Sequence, residues 1–396
     1  MKTKKNLIVL IVVMMFGAMT YAQEEKIAQV SFIYPIGTGG VNAVSYSNLF
    51  SLNIIGGING GVNGIELGSV FNVNRGNVNG AQLSGVCNLT SGSSNGLILS
   101  GVANVTLQES KGAMTSGVLN TSKSHDGTLI TGVANIVQDS SKGSMVSGVF
   151  NTSKSHDGVL LSGVSNVIRE SSNGAIISGV LNYSGSHKGL QLSTINIASK
   201  KMDGAQIGVI NVSNKSKGTQ FGVINIANEA DSIIPIGIIN VVKGGYFAFE
   251  LSSNELLLSN LSYKMGVEKF HTIFRVGIGM SKNKEHISTG MGFGSIIKIK
   301  DNHKLNIELL CDQLIYNNNR EGNLNLLNQL NLNYQYQISD FLSVKAGPSL
   351  RNYVTDQKIN GEFNTLQVPY TISETIGETV KTSTWIGFNA AIVISI

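Results

Sequence analysis

Apolar and small polar residues alternate along the middle of the chain in short phrases that recur every 14 to 16 residues. In residues 127–135, Leu129, Thr131 and Val133 fall on one side of an extended segment, and the residues between them fall on the other. Polar segments, such as residues 121–126 (Thr-Ser-Lys-Ser-His-Asp), separate the phrases. This period of two predicts one β-strand per repeat, followed by a polar turn.

An asparagine closes most of these phrases, which have the form Ser/Thr-Gly-Val-x-Asn, and a glycine precedes it by 7 or 8 residues. Self-similarity at a fixed period is typical of a solenoid. We expect the asparagines to form a buried amide ladder that supports the fold rather than a ligand site. The predicted ladder consists of Asn72, Asn88, Asn104, Asn120, Asn135, Asn151, Asn166, Asn182, Asn196, Asn211, Asn225 and Asn240, with Asn53 preceding it.

Two architectures accommodate one strand per repeat. A β-solenoid stacks successive strands on one another, whereas a large outer-membrane barrel pairs them in a meander and needs one face of large apolar residues. Neither face of residues 113–120 meets that need, because Ala113, Thr115 and Gly117 alternate with Ser116 and Asn120. We predict an all-β fold with a Gly/Asn-rich β-solenoid of 14–16-residue repeats. A coil could equal one repeat or a pair of about 31 residues.

The chain divides into four predicted regions. Residues 1–22 combine Lys2, Lys4 and Lys5 with an apolar stretch and end in Tyr21-Ala22, which predicts a secretory signal peptide. Residues 23–50 contain one alternating strand, expected to cap the repeats. Residues 51–243 are the tandem repeats, and residues 244–396 form a C-terminal region of different composition.

The C-terminal region alternates in longer segments. Val276 and Ile278 are on one face opposite Arg275 and Gly277, and the final segment places apolar residues at every second position up to Ile396. Strands of about 10 residues with aromatic ends and polar turns are typical of an outer-membrane barrel. We predict an antiparallel barrel of eight or nine strands, with a soluble sandwich as the alternative.

The phrases at 204–211 (Gly-Ala-Gln-Ile-Gly-Val-Ile-Asn) and 218–225 (Gly-Thr-Gln-Phe-Gly-Val-Ile-Asn) resemble those of a bacterial surface-repeat family. Its members are secreted or outer-membrane proteins of Gram-negative bacteria. The resemblance covers residues 51–243, although most earlier repeats lack the glutamine that Gln82 retains. It implies a location in the cell envelope, and it transfers no functional residues.

The net charge and the cysteine content limit the kinds of partner and of covalent link that we expect. Removal of residues 1–22 takes away three lysines and no acid, which lowers the formal net charge from +5 to +2. No basic patch or helix remains, so we expect no nucleic-acid partner. Cys87 and Cys311 are the two cysteines. We interpret them as two buried free thiols, with a single disulfide as the alternative.

His125, His156 and His187 recur at 31-residue intervals, with Asp126 and Asp157 beside two of them. A column of neutral imidazoles could hold a transition metal if the rings stacked on adjacent strands. The simpler interpretation is a duplicated polar turn, so we predict no metal site and no cofactor. No glycosidase-type carboxylate pair or Gly-x-Ser-x-Gly elbow is present, and we predict no enzymatic activity.

These patterns predict an exported protein at the outer membrane or cell surface, with the periplasm as the alternative. The expected role is structural or adhesive display. A transport or channel component built as one large barrel, and a periplasmic scaffold or binding module, are the alternatives. We expect the outer membrane as one partner, and a glycan, a protein or another copy of the chain as another.

Overall fold

The computed structural model describes residues 24–281, 284–316, 323–359, 362–363 and 370–396. The predicted signal peptide therefore lies outside the described residues. The protein is a parallel β-solenoid of about 13 turns and a closed eight-stranded antiparallel β-barrel, as the sequence pattern predicted. The chain forms two compact units, residues 1–207 and 208–396. No helix in the described part of the chain is long and apolar enough to cross a membrane.

The first unit contains a capping strand and the greater part of the solenoid. Its strands are β1 Glu24–Ile33, β2 Ile36–Gly37, β3 Tyr46–Asn59, β4 Gly61–Gly68, β5 Phe71–Asn74, β6 Val78–Ser84, β7 Cys87–Thr90, β8 Ser94–Ser100, β9 Ala103–Thr106, β10 Glu109–Ser116, β11 Leu119–Ser122, β12 Ser124–Thr131, β13 Ala134–Val137, β14 Ser140–Ser147, β15 Phe150–Ser162, β16 Ser165–Ser178, β17 Leu181–Leu192 and β18 Ile195–Ile207, with a 3₁₀ helix at Gly40–Ser45.

One repeat makes one coil of the solenoid. Gly127 is in register with Gly112 on the preceding coil and with Gly143 on the following coil, and both pairings are parallel. The 31-residue rhythm of the sequence therefore reflects an alternation between neighbouring coils rather than a coil of double length. Inside the coils, one apolar column packs along the axis. Its members in this cluster are Ile98, Met114, Leu129, Met145, Leu160 and Ile176.

A glycine is required inside the longer strand of each of these coils, as Gly127 in β12 shows. Gly127 has φ of 141°, a conformation that residues with a side chain rarely adopt. A Cβ atom at this position would lie 2.0 Å from the carbonyl oxygen of Gly112. The glycine that recurs 7 or 8 residues before each asparagine is thus required by the close approach of one coil to the next.

The polar segment 121–126, which we predicted to be a turn, is mostly strand. β11 extends to Ser122 and β12 begins at Ser124, so Lys123 alone separates them. The prediction was wrong because Ser122 and His125 point into the interior, whereas Lys123 and Asp126 are exposed. Parallel pairing with the neighbouring coils satisfies the backbone of the segment.

The second unit contains the last coils and the barrel. Its strands are β19 Ile210–Phe221, β20 Ile224–Ile236, β21 Ile239–Val242, β22 Tyr246–Asn254, β23 Leu257–Val267, β24 Phe270–Ser281, β25 Lys284–Lys300, β26 His303–Tyr316, β27 Asn325–Gln337, β28 Leu342–Thr355, β29 Lys358–Ile359, β30 Glu362–Phe363, β31 Ser373–Ile376 and β32 Lys381–Ser395.

Strands β22 to β28 and β32 form the barrel. Each strand pairs antiparallel with the next, β28 pairs with β32, and β32 returns to pair with β22. Along β27, Leu330, Leu332 and Tyr334 face outward, whereas Asn331 and Asn333 face the interior. The apolar side predicted for the C-terminal segments is therefore the outer wall of the barrel.

Candidate functional site

The asparagines form a continuous hydrogen-bonded ladder within each unit. Asn135 shows the arrangement: its Nδ2 donates to Oδ1 of Asn151 on the next coil (2.9 Å) and to the backbone carbonyl of Val146 (2.8 Å). Equivalent side-chain bonds join Asn53 to Asn196, coil by coil, in the first unit. Since these side chains are buried, the ladder is part of the core and offers no accessible amides to a ligand.

In the second unit the ladder ends on the barrel. Asn211 donates to Asn225 (2.9 Å), and Asn225 donates to Asn240 (2.8 Å). Nδ2 of Asn240 then donates to Oγ1 of Thr272 on β24 (2.9 Å), and that hydroxyl donates to the carbonyl of Gly237 (2.7 Å). The last coil and the barrel are therefore joined through a buried polar contact.

A single buried carboxylate lies inside the first coils. Glu66 is fully buried and accepts four amide hydrogen bonds of 2.6–3.0 Å. The donors are the side-chain amides of Asn53, Asn59, Asn74 and Gln82. Burial raises the pKa of Glu66 to about 7, although the four amides oppose this shift. The group can therefore change charge near neutral pH.

The three histidines occupy one interior column but do not touch one another. His125 pairs in register with Ser141, and Ser141 pairs with His156, so a serine coil separates each histidine from the next. Two strand spacings correspond to roughly 9–10 Å. Ser110, Ser141 and Ser172 each contact Nδ1 of the following histidine at 2.7–2.8 Å.

Burial lowers the pKa of His125, His156 and His187 to about 4. The neighbouring carboxylates of Asp126 and Asp157 oppose the shift at the first two. The rings are therefore neutral at neutral pH and serve as interior hydrogen-bonding groups. Their separation by serine coils gives no shared metal site, and no group of three or more His, Cys, Asp or Glu side chains in the described ranges could hold a metal ion.

A shallow polar groove of about 610 Å³ runs over this column, and His125, Ser141 and His156 are among the residues that line it. One rim carries Lys111, Asp126, Lys142 and Asp157 on four successive coils, so that charges of opposite sign alternate. The other rim is rich in serine. This surface is hydrophilic and regular, and it contains no catalytic arrangement.

The barrel interior holds a network of buried charges. Lys264 contacts both Glu250 and Glu308, and Lys345 contacts the same two carboxylates at 2.7 Å each. All four side chains are at most 5% exposed. Two cations and two anions therefore neutralise one another across the lumen.

Two further ion pairs involve buried arginines of the barrel. Arg275 binds both carboxylate oxygens of Asp312, and Gln329 donates to that carboxylate at 2.6 Å. Arg351 contacts Glu255, whose Oε1 also accepts a 2.8 Å bond from the Trp385 indole. Together with the Lys264 network, these ion pairs place opposite charges in contact along the barrel.

The two cysteines are free thiols and each is half-buried. Burial raises the pKa of the Cys87 thiol, so it is a poor nucleophile at neutral pH.

Our interpretation of the sequence did not single out Glu66 or the lumen charges. Glu66 is in register with Gln82 on the next coil, and Gln82 is in register with Ile98, so the carboxyl stands out in its column. Lys264 and Lys345 could have been noticed as charges on strand faces opposite apolar ones. Comparisons of the chain with models of known families, with curated proteins and with solved structures found no match.

Proposed function

We propose that the protein is a non-enzymatic outer-membrane protein, in which the eight-stranded barrel lies in the membrane and the solenoid serves as a rigid scaffold on its periplasmic side. The observation that carries this proposal is the sidedness of the barrel wall. Leu258, Leu309 and Phe388 face outward with 59–69% of their surface exposed, whereas Lys264, Glu308 and Lys345 are buried in the lumen. A soluble protein rarely exposes a continuous apolar belt of this kind, whereas a barrel in lipid requires one.

A closed lumen favours an anchor over a channel. Eight strands enclose an interior just wide enough to be filled by side chains. In this barrel the Lys264 network and the Arg275–Asp312 pair occupy that space. The alternative of one large barrel that includes the repeats does not agree with the parallel pairing of the coils.

The lengths of the connections support a periplasmic scaffold. At the barrel end where β22 begins, the connections are short: residues 268–269, 301–302 and 338–341. At the opposite end, the chain is longer between Tyr316, where β26 ends, and Asn325, where β27 begins, and between Thr355, where β28 ends, and Lys381, where β32 begins. Outer-membrane barrels have short periplasmic turns and longer extracellular loops. The repeats enter the barrel at the short-turn end, so they lie in the periplasm in this proposal.

Labelling of single cysteines tests whether the barrel crosses the outer membrane and on which side of it each region lies. In a chain with Cys87→Ala and Cys311→Ala, a cysteine replaces Glu378 in the long connection or Asp139 on the solenoid surface. Both positions are exposed. We expect a membrane-impermeant maleimide to label Glu378→Cys on intact cells, and to label Asp139→Cys only after the outer membrane is permeabilised.

Display at the cell surface is the second candidate, favoured by the resemblance of the repeats to the surface-repeat family. It predicts the opposite labelling pattern, with Asp139→Cys reactive on intact cells. A soluble envelope protein would instead be released without detergent, and that result would contradict both candidates.

A further inference from the structure

The outer surface of the first unit carries an apolar face that extends over eleven coils. Two neighbouring outward columns form it, and we refer to these as the apolar face. One column consists of Leu52, Leu67, Leu83, Leu99, Thr115, Ile130, Val146, Leu161, Ile177, Leu192 and Ile207. The other consists of Phe50, Ile65, Ala81, Leu97, Ala113, Thr128, Ser144, Val159, Ala175, Leu190 and Ala205.

The composition of this face differs sharply from that of its border. Neither column contains a charged residue. The adjacent column on the same strands is polar, with Asn95, Lys111, Asp126 and Lys142 on consecutive coils. The absence of charge is therefore a property of the face rather than of the whole solenoid surface.

The face is large enough for a stable interface. Ten coil spacings of about 4.8 Å and a width of about 14 Å give roughly 700 Å². The largest apolar patch of an ordinary monomer is roughly 300–600 Å². Two such faces in contact would bury about 1,400 Å², which is the size of a specific protein–protein interface.

We propose that this face binds the same face of a second copy of the chain. Its side chains stand in rows at the spacing of the coils, so a partner must present rows at the same spacing to fit along the whole length. A second copy has the same coils and therefore the same spacing between its rows. Two sheets can pack face to face at about 10 Å. The lack of lysine and arginine argues against an anionic lipid surface as the occupant. The inference depends on the solenoid alone, and it holds whichever side of the membrane the repeats occupy.

Cross-linking of the full-length chain in its own membranes tests the proposal. In the background lacking Cys87 and Cys311, single cysteines replace Leu67, Ile130 or Leu192, near the start, middle and end of the face. A short bis-maleimide should then produce a cross-linked dimer. Links at all three positions indicate copies that run in the same direction, and a link at Ile130 alone indicates opposite directions; either pattern supports the proposal.

Each position has a matched control four residues earlier in the same coil. Asn63→Cys, Asp126→Cys and Lys188→Cys are exposed in the polar border, so we expect at least tenfold less dimer from them. Absence of links from all three face positions, or equal linking of the controls, would overturn the proposal. If the face cysteines instead react with a lipid-dissolved maleimide, a membrane covers the face.

A second set of variants tests whether the apolar contacts cause the association. Leu99→Lys with Leu161→Lys should reduce cross-linking through Ile130→Cys at least tenfold, whereas Asn95→Lys with Asp157→Lys should not. If the lysine pair lowers folding, Leu99→Thr with Leu161→Thr provides a milder change, because Thr115 occupies the same column natively. Cross-linking that persists in both face variants would show that another surface joins the copies.

Discussion

Replacement of Glu66 with glutamine removes an ionisable group from inside the solenoid and keeps the size of the side chain. Burial raises the pKa of Glu66 from 4.5 to about 7. Because the folded pKa lies above the unfolded one, the carboxyl stabilises the fold fully below pH 4.5. That stabilisation is lost as the pH rises through 7. A shift of about 2.5 pH units corresponds to about 3 kcal/mol, or about 300-fold in an opening equilibrium.

Hydrogen exchange of the full-length protein measures this effect locally. Amides of residues 46–90 in the native chain and in Glu66→Gln are compared at each pH from 4.5 to 8, so that the intrinsic pH dependence of exchange cancels. We expect the ratio of native to variant protection to fall by up to about 300-fold over this range if local opening exposes residue 66 to water. Amides in the barrel act as the internal control, because their ratio should stay constant.

The amides around Glu66 oppose the effect of burial on its pKa. Four amide N–H groups donate to the carboxylate, and donors of this kind favour the charged form. A protection ratio that stays flat between pH 5 and 8 would mean that the amides outweigh burial and that Glu66 is ionised throughout. That result would refute the reasoning from desolvation.

Four further outcomes follow from the same contacts. Gly127→Ala should destabilise the flanking coils by at least about 2 kcal/mol, because its φ is 141°, and Thr128→Ala should have little effect in the same exchange measurement. Asn135→Leu removes the hydrogen bond to the Val146 carbonyl and the ladder bonds to Asn120 and Asn151, so thermal melting should show a loss of about 3 kcal/mol that Ile136→Leu does not. His156→Leu should make the stability of the surrounding coils less sensitive to acid. Burial lowers the pKa of His156 to about 4, so its stabilising effect is present above pH 6.5 and lost as the pH falls through 4. Hydrogen exchange of residues 140–172 would measure this loss. Lys264→Met should cost about 3–5 kcal/mol in urea unfolding of the barrel, and Glu308→Gln in the same chain should restore part of it.

The alternation of residues was sufficient to predict one strand in each repeat and the strands of the barrel, but not the strands that polar segments such as 121–126 form. Leu129 and Ile130 face opposite sides of β12, and Leu330 and Asn331 face opposite sides of β27, because a strand exposes alternate residues to different environments. The size of a coil was harder to predict. Coils with serine and coils with histidine at the same column position, such as Ser141 and His156, alternate along the chain. The register of Gly127 with Gly112 and Gly143 shows that each of them is a complete turn.

The buried charges escaped prediction for a different reason. Lys264 is on β23, Glu308 on β26 and Lys345 on β28, so their meeting depends on barrel closure and on the register of several strand pairs. No local pattern contains that information. Glu66 is the opposite case, because a single substitution within a repeat column marks it, and alignment of the repeats alone would have drawn attention to it.

Both units have many polar side chains in the interior and apolar side chains on the outer surface. In the barrel, charged side chains fill the lumen and apolar ones face outward; in the first unit, asparagine, serine and histidine line much of the interior while Leu99, Ile130 and Leu161 face outward. For the barrel wall, the outer-membrane location that we propose makes this favourable, because lipid would cover the apolar side chains. The solenoid interior tolerates polar groups because the ladder satisfies them, as Asn135 does with bonds to Asn151 and Val146. Its outer rows gain nothing comparable from water, so the hydrophobic effect favours any partner that covers them, and a second copy matches their spacing on every coil.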